Sequence, residues 1–204
     1  MRAVALAVMA WSVLPALAQD DLYGPAAPPD AAWVRAINAE EPGGLGIRVG
    51  DGGLVSLAFA DATGYRPVEP GSVSLDLGGA LTTVEVEAGA FVTVVATAEG
   101  PRVIVDTALV DVSRGLLALY NLSERAALDL AVVDGPTVLE DVAAWSQAAV
   151  AVAEAEVALE VRSGDEVLGV LEARVFERGV AHAVIVVEGP DGPLVRYVAA
   201  FTTE

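Results

Sequence analysis

The chain has 204 residues, with 11 basic residues, all of them arginine, against 29 acidic ones and a single histidine, for a formal net charge of −18. The absence of cysteine excludes disulfides, thiolate nucleophiles, Cys-ligated zinc and iron–sulfur clusters, and one histidine, His182, excludes a multi-histidine metal site. That charge repels phosphate backbones, so nucleic acid is not an expected partner, whereas 54% hydrophobic residues suffice for one or two packed cores.

In chain order, residues 1–18 read as a secretory signal peptide. Met1-Arg2 is followed by the apolar run Ala3 to Leu14, then Pro15 and the small-x-small site Ala16-Leu17-Ala18. The run is shorter than the roughly 20 residues that a spanning helix needs. Cleavage after Ala18 predicts an exported chain of 186 residues and net charge −19. Residues 19–32 form an extended, Pro-rich segment without the apolar periodicity of a core element.

From residue 33 onward the pattern is that of strands. Val73-Ser74-Leu75-Asp76-Leu77 and Val84-Glu85-Val86 alternate as half-buried strands do. Phe91 to Val95 and Val184 to Val187 are denser β-branched runs, expected of central strands buried on both faces. Gly50-Asp51-Gly52, Asp134-Gly135 and Asp191-Gly192 supply residues that tolerate positive φ in tight turns. Asp141 to Ala155 is Ala-rich, with Val142, Trp145, Ala149 and Val152 at helical spacing; it is read as loop plus strand rather than helix.

The two halves look like copies. Val34 to Gly52 lies over Leu117 to Gly135 without a gap, pairing Asn38 with Asn121 and Ile47 with Leu130. Val73-x-Leu75-x-Leu77 then matches Val157-x-Leu159-x-Val161, and Gly89 matches Gly179. The fold class expected is all-β: two tandem antiparallel β-sandwiches of jelly-roll, immunoglobulin-like or carbohydrate-binding-module-like kind, residues 33–115 and 116–204, related by internal duplication. Both halves are acidic, so neither serves as a basic arm.

Asp21-Leu22-Tyr23-Gly24-Pro25-Ala26-Ala27-Pro28-Pro29, followed by Trp33-Val34-Arg35-Ala36-Ile37-Asn38, resembles the start of the mature AlgF family proteins of alginate O-acetylation. The likeness continues through the Tyr65 loop, Pro70-Gly71, Glu87-Ala88-Gly89-Ala90-Phe91, Leu119-Tyr120-Asn121-Leu122 and Val138-Leu139-Glu140-Asp141-Val142, and is weakest over residues 143–156. The resemblance implies a periplasmic, non-catalytic adaptor with two β-sandwich domains and no cofactor. Its implied partners are a membrane O-acyltransferase and the periplasmic acetyltransferases that decorate alginate.

The residues themselves leave little room for an enzyme. A Ser–His–Asp relay needs an imidazole beside the hydroxyl, and His182 falls inside a strand-like run, opposite Val92 in the repeat. It is read as a structural histidine at a strand edge or in a turn-side pocket. The Gly-Asp-Ser and Asp-x-x-His blocks of SGNH-type acetyltransferases and the G-x-S-x-G elbow are missing. Glu154, Glu156 and Glu160, at even spacing, read as a solvated face rather than a glycosidase pair. No residues are assigned to catalysis, a cofactor or a metal. Leu22, Tyr23, Pro25 and Tyr65 are the candidates for partner binding. Tyr65 and Trp145, in corresponding loops of the halves, are the candidates for stacking on a sugar, the second-ranked role being a carbohydrate-binding module that touches alginate directly. Arg174, Arg178 and Arg196 are the arginines that neighbouring strands could gather for a polyuronate.

Overall fold

The computed structural model describes residues 27–40, 43–108 and 111–200. The signal-peptide reading and the candidates Leu22, Tyr23 and Pro25 lie outside these residues. The described residues form sixteen strands and no helix. In the first half these are β1 (Ala32–Asn38), β2 (Leu45–Val49), β3 (Val55–Leu57), β4 (Arg66–Val68), β5 (Gly71–Leu77), β6 (Ala80–Val86), β7 (Phe91–Ala96) and β8 (Arg102–Asp106). The second half repeats the series as β9 (Gly115–Leu122), β10 (Ala127–Val132), β11 (Thr137–Ala143), β12 (Ser146–Val152), β13 (Ala155–Ser163), β14 (Glu166–Phe176), β15 (Ala181–Gly189) and β16 (Gly192–Ala200).

Strand order makes the duplication explicit. Sheets β4-β1-β7-β8 and β3-β2-β5-β6 form the first sandwich, and β12-β9-β15-β16 and β11-β10-β13-β14 form the second, each strand replaced by the one eight places later. Register agrees: Val34 stands beside Val92, and Leu117 beside His182, in the parallel pairs β1–β7 and β9–β15. These two pairs depart from the fully antiparallel sheets expected. A parallel neighbour requires a long crossover, and the intervening strands of the opposite sheet provide it. Asn38 and Asn121 do the same work in each half. Each side-chain amide donates to a carbonyl of the opposite sheet at 3.0 Å, Leu57 for one and Val142 for the other, and also to the turn that follows its own strand.

Asp141 to Ala155 is strand on both sides of a tight turn at Ala144-Trp145, so its helical spacing is not used. The chain there crosses from one sheet of the second sandwich to the other, and Trp145 takes a φ of 54° to make the crossing. A left-handed backbone costs a bulky residue about 1–3 kcal/mol, so this ring is pinned by what surrounds it.

Period-two alternation fills each sandwich. Val34, Ile47, Leu75 and Val94 build the first core, and Leu119, Leu130, Leu159 and Val184 the second. The opposite faces of sheets β4-β1-β7-β8 and β12-β9-β15-β16 are not left in water. Ile37, Val95 and Ile104 of the first sandwich meet Ala118, Tyr120, Leu122, Ala183 and Ile185 of the second in a third apolar cluster. The sandwiches are therefore stacked sheet against sheet. This is why β1, β7, β9 and β15 carry near-continuous apolar runs: each is buried on both faces.

The copies differ at one edge. In the second sandwich the long β14 and β16 pack together, whereas their shorter counterparts β6 and β8 barely touch. Val105, cross-strand from the buried Val92, stays 73% exposed as a result.

Candidate functional site

Alternation along β1 sends Val34 and Ala36 into the first core, and Arg35 with Ile37 into the space between the sandwiches. Arg35 is 1% exposed there, inside a mostly apolar interface. An isolated charge in such a place is untenable, and four neighbouring residues answer it. Thr93 of β7 accepts from Arg35 Nε at 2.9 Å and donates to Asp106 Oδ2 of β8 at 2.6 Å. The Tyr65 hydroxyl donates to the same oxygen at 2.8 Å. Tyr120, from β9 of the second sandwich, donates to Oδ1 at 2.5 Å, so the network crosses between the halves. The guanidinium also sits over both tyrosine rings, with its carbon 4.5 Å from the Tyr65 centroid and 5.0 Å from that of Tyr120.

Burial pushes the Asp106 carboxyl above the ordinary carboxylate range, while Arg35 and the three hydroxyl donors pull it back. Burial opposes the charge on Arg35 as well, but Tyr120, Tyr65 and Asp106 outweigh it and hold the guanidinium above its usual value. At neutral pH the phenols are uncharged, which leaves Asp106 as its counter-ion. Desolvation pushes Tyr120 up to about 12 and Tyr65 further in the same direction.

These phenols carry a pH prediction. An unfolded chain ionises tyrosine near about 10, whereas the fold retains both protons. Their contribution to stability is complete below that value and is lost as pH rises from there through the folded Tyr120 value of about 12. The denaturant midpoint should fall across that window, with these two tyrosinate signals appearing together with unfolding. Ionisation of both near pH 10 in a chain that retains its native circular dichroism would contradict the burial described.

The same interface holds a cavity of about 270 Å³. Arg35, Phe91, Tyr120 and Gln147 are among its lining side chains, with small residues of β9 and β15 on the far wall. Trp33 stacks on Phe91 at 5.8 Å between centroids, and Tyr65 meets Phe91 edge-on at 5.2 Å.

Of the sugar-stacking candidates, Tyr65 is buried and Trp145 is partly exposed with one face covered. Tyr65 is 6% exposed, its hydroxyl tied to Asp106 and its ring to Arg35 and Phe91. This removes it both as a sugar platform and as an exposed partner contact. Trp145 donates from Nε1 to Glu124 at 2.7 Å, and the Arg102 guanidinium from the other sandwich covers one face at 4.0 Å. It acts as a strut between the halves. Nor are Tyr65 and Trp145 equivalent: Arg66 pairs with Val34 and Val150 with Leu117, so register sets Tyr65 opposite Ala149. The three arginines do not gather. Arg174 lies over the Tyr197 ring, Arg178 pairs with Glu154, and Arg196 reaches Phe59 and Asp61 of the first sandwich. Glu160 is buried beside Arg162 rather than solvated.

His182 lies at the start of β15, facing the second core against Phe176 and Tyr197. Its Nε2 is 3.4 Å from the Glu177 carbonyl in the preceding turn, and its Nδ1 is 2.6 Å from the Tyr197 hydroxyl. A carbonyl only accepts, so Nε2 carries the proton and Nδ1 accepts from Tyr197. Burial lowers its pKa and keeps the ring neutral, with Arg174 adding to the effect against Glu177.

Sequence reasoning missed Arg35, Thr93, Asp106 and Gln147. The available signal was a charge inside a run that reads as buried on both faces.

The family described as alginate O-acetyl transferase AlgF matches residues 3–183. The alginate biosynthesis protein AlgF of Pseudomonas syringae pv. tomato is 29% identical over 184 residues, covering 89% of this chain and 82% of that protein. The protein of the same name from Pseudomonas aeruginosa is 31% identical over 123 residues, 59% of this chain and 56% of the relative. Among solved structures, the C-terminal domain of AlgF from P. aeruginosa is 24% identical, covers 43% of this chain and 98% of that domain, and has a TM-score of 0.39. The N-terminal domain of the same protein is 25% identical, with coverages of 40% and 99% and a TM-score of 0.34.

Proposed function

Since the chain belongs to the AlgF family, we propose that within alginate biosynthesis it is a periplasmic adaptor for O-acetylation, joining a membrane O-acyltransferase to periplasmic acetyltransferases without performing acyl transfer itself. The observation that carries this reading is the setting of His182. Acyl transfer by a hydroxyl nucleophile needs an imidazole nitrogen free to take its proton. Both nitrogens of this ring are engaged, by a phenol and a backbone carbonyl, inside a packed core. The stacked sandwiches add support of a different kind: they fix two copies of one fold in a single relative orientation, as a protein that holds partners at a set distance requires. The reading of direct sugar stacking loses Tyr65 to burial between the sandwiches and has one face of Trp145 covered by Arg102.

The test is complementation of a strain that lacks the protein. Loss should abolish alginate acetylation while polymer is still made, and His182→Phe, which keeps the aromatic packing, should restore acetylation to the wild-type level. Acetylation enzymes should be recovered with the tagged protein from the cell envelope. A folded, partner-bound His182→Phe variant that leaves alginate unacetylated would overturn the adaptor reading.

A further inference from the structure

The buried pair in the interface leaves two donors over. Arg35 spends Nε on Thr93 and reaches Asp106 through that hydroxyl; its Nη1 is buried without a protein acceptor. Gln147, on β12 of the other sandwich, spends its carbonyl oxygen on the Thr107 hydroxyl at 3.4 Å, and its Nε2 is likewise buried without one. Both residues line the same 270 Å³ cavity, one from each half. A buried donor left unmade is costly, most of all a charged one, so the cavity as built calls for acceptor oxygens. Most of the remaining wall is apolar, with Phe91, Leu116, Ala118, Ala181 and Ala183 among its residues, and Tyr65, Thr107, Tyr120 and His182 are its other polar members.

We propose that this cavity between the sandwiches binds a small carboxylate, with Arg35 and Gln147 as the two donors to its oxygens and the apolar wall against its short carbon skeleton. The chemistry is that of a planar anion with two acceptors, which a guanidinium edge and an amide match from opposite sides. A phosphate or sulfate fits less well, because its remaining oxygens would face Phe91 and the alanines. The volume, just below the usual range for small-molecule pockets, suits one short acid or one uronate residue and excludes a length of polymer. The carboxylate therefore comes either from a free short-chain acid or from a single uronate unit. Because the donors come from different halves, occupancy would tighten the stack. The proposal does not depend on the adaptor reading.

Titration of the isotope-labelled mature protein with acetate, propionate and glucuronate, read by amide chemical shifts, tests it. Acetamide and sodium chloride are the neutral and ionic controls. Saturable shifts are expected at Ala118, Tyr120, Ala181 and Ala183 with at least one carboxylate and with neither control. Response to acetate and propionate alone assigns free acids; response to glucuronate assigns a sugar unit. Gln147→Leu should weaken binding several-fold. Arg35→Met combined with Asp106→Leu removes both charges together so that neither is stranded, and should weaken binding at least tenfold while the spectrum stays dispersed. Shifts that never saturate, shifts matched by acetamide or chloride, or affinity unchanged in both folded variants would overturn the assignment.

Discussion

Asp106→Ala should lower stability by about 3–5 kcal/mol, the range found when one member of a buried ion pair is removed, although it deletes only a short side chain from a five-residue strand. Three consequences add up. Arg35, 1% exposed, keeps its charge and loses its counter-ion. The hydroxyls of Thr93, Tyr65 and Tyr120 lose their acceptor. The contact that joins β8 to β9 across the halves disappears. Asp106→Asn keeps the shape but not the charge, and should cost less than Ala and still well over about 1 kcal/mol. The informative comparison is the pair replaced together. Arg35→Met with Asp106→Leu should recover most of the loss, because a buried pair exchanged for apolar residues of similar volume is often neutral or stabilising. Urea midpoints at unchanged m-value measure all three. A loss below about 1 kcal/mol for Asp106→Ala, or no recovery in the double variant, would mean that the charge on Arg35 is compensated by something other than Asp106.

Much of this fold was legible because a duplicated chain states its pattern twice. The gapless match of Val34–Gly52 to Leu117–Gly135 holds as strand on strand, and the matched asparagines make the same cross-sheet bonds. The dense runs at β7 and β15 correctly signalled burial on both faces. What the pattern did not convey was the second covering layer, which is the other copy of the domain. Tyr65 and Trp145 looked like loop aromatics available to a ligand because nothing local reveals that a second sandwich closes over them. Arg35 and Asp106 were overlooked for the same reason. One is a charge within Trp33-Val34-Arg35-Ala36-Ile37 and the other ends Val103-Ile104-Val105-Asp106, and neither stretch alone reveals the other as its partner. Only the register of β1, β7 and β8 brings them to one face. Asp141 to Ala155 reads correctly as loop plus strand despite its helical spacing, since alanine on β12 serves close packing between the stacked sheets, where Ala149 lies.

Ile185→Asp should separate the two sandwiches while leaving each folded, at a cost of more than about 4 kcal/mol to the stacked state. Ile185 and its neighbour Val184 are both fully buried on the central strand β15, but they face opposite ways. Val184 belongs to the core of the second sandwich, Ile185 to the cluster between the halves. A carboxylate at 184 has no route to water without unfolding the sandwich around it. A carboxylate at 185 reaches water once the stack opens, since the face it sits on is then simply a sheet surface. The same chemical change one residue apart should therefore produce different states. Val184→Asp should lose the native signal of the second half. Ile185→Asp should keep the circular dichroism of both halves, raise the radius of gyration in small-angle scattering, and replace one unfolding transition with two. It should also expose Tyr65 and Tyr120, bringing their ionisation back toward pH 10 without loss of strand content. If Ile185→Asp instead abolishes the folded signal of both halves in a single step, the sandwiches are not independent units joined by an interface. The clusters on either side of β1, β7, β9 and β15 would then have to be regarded as one continuous core, in which neither copy of the duplicated fold is stable without the other.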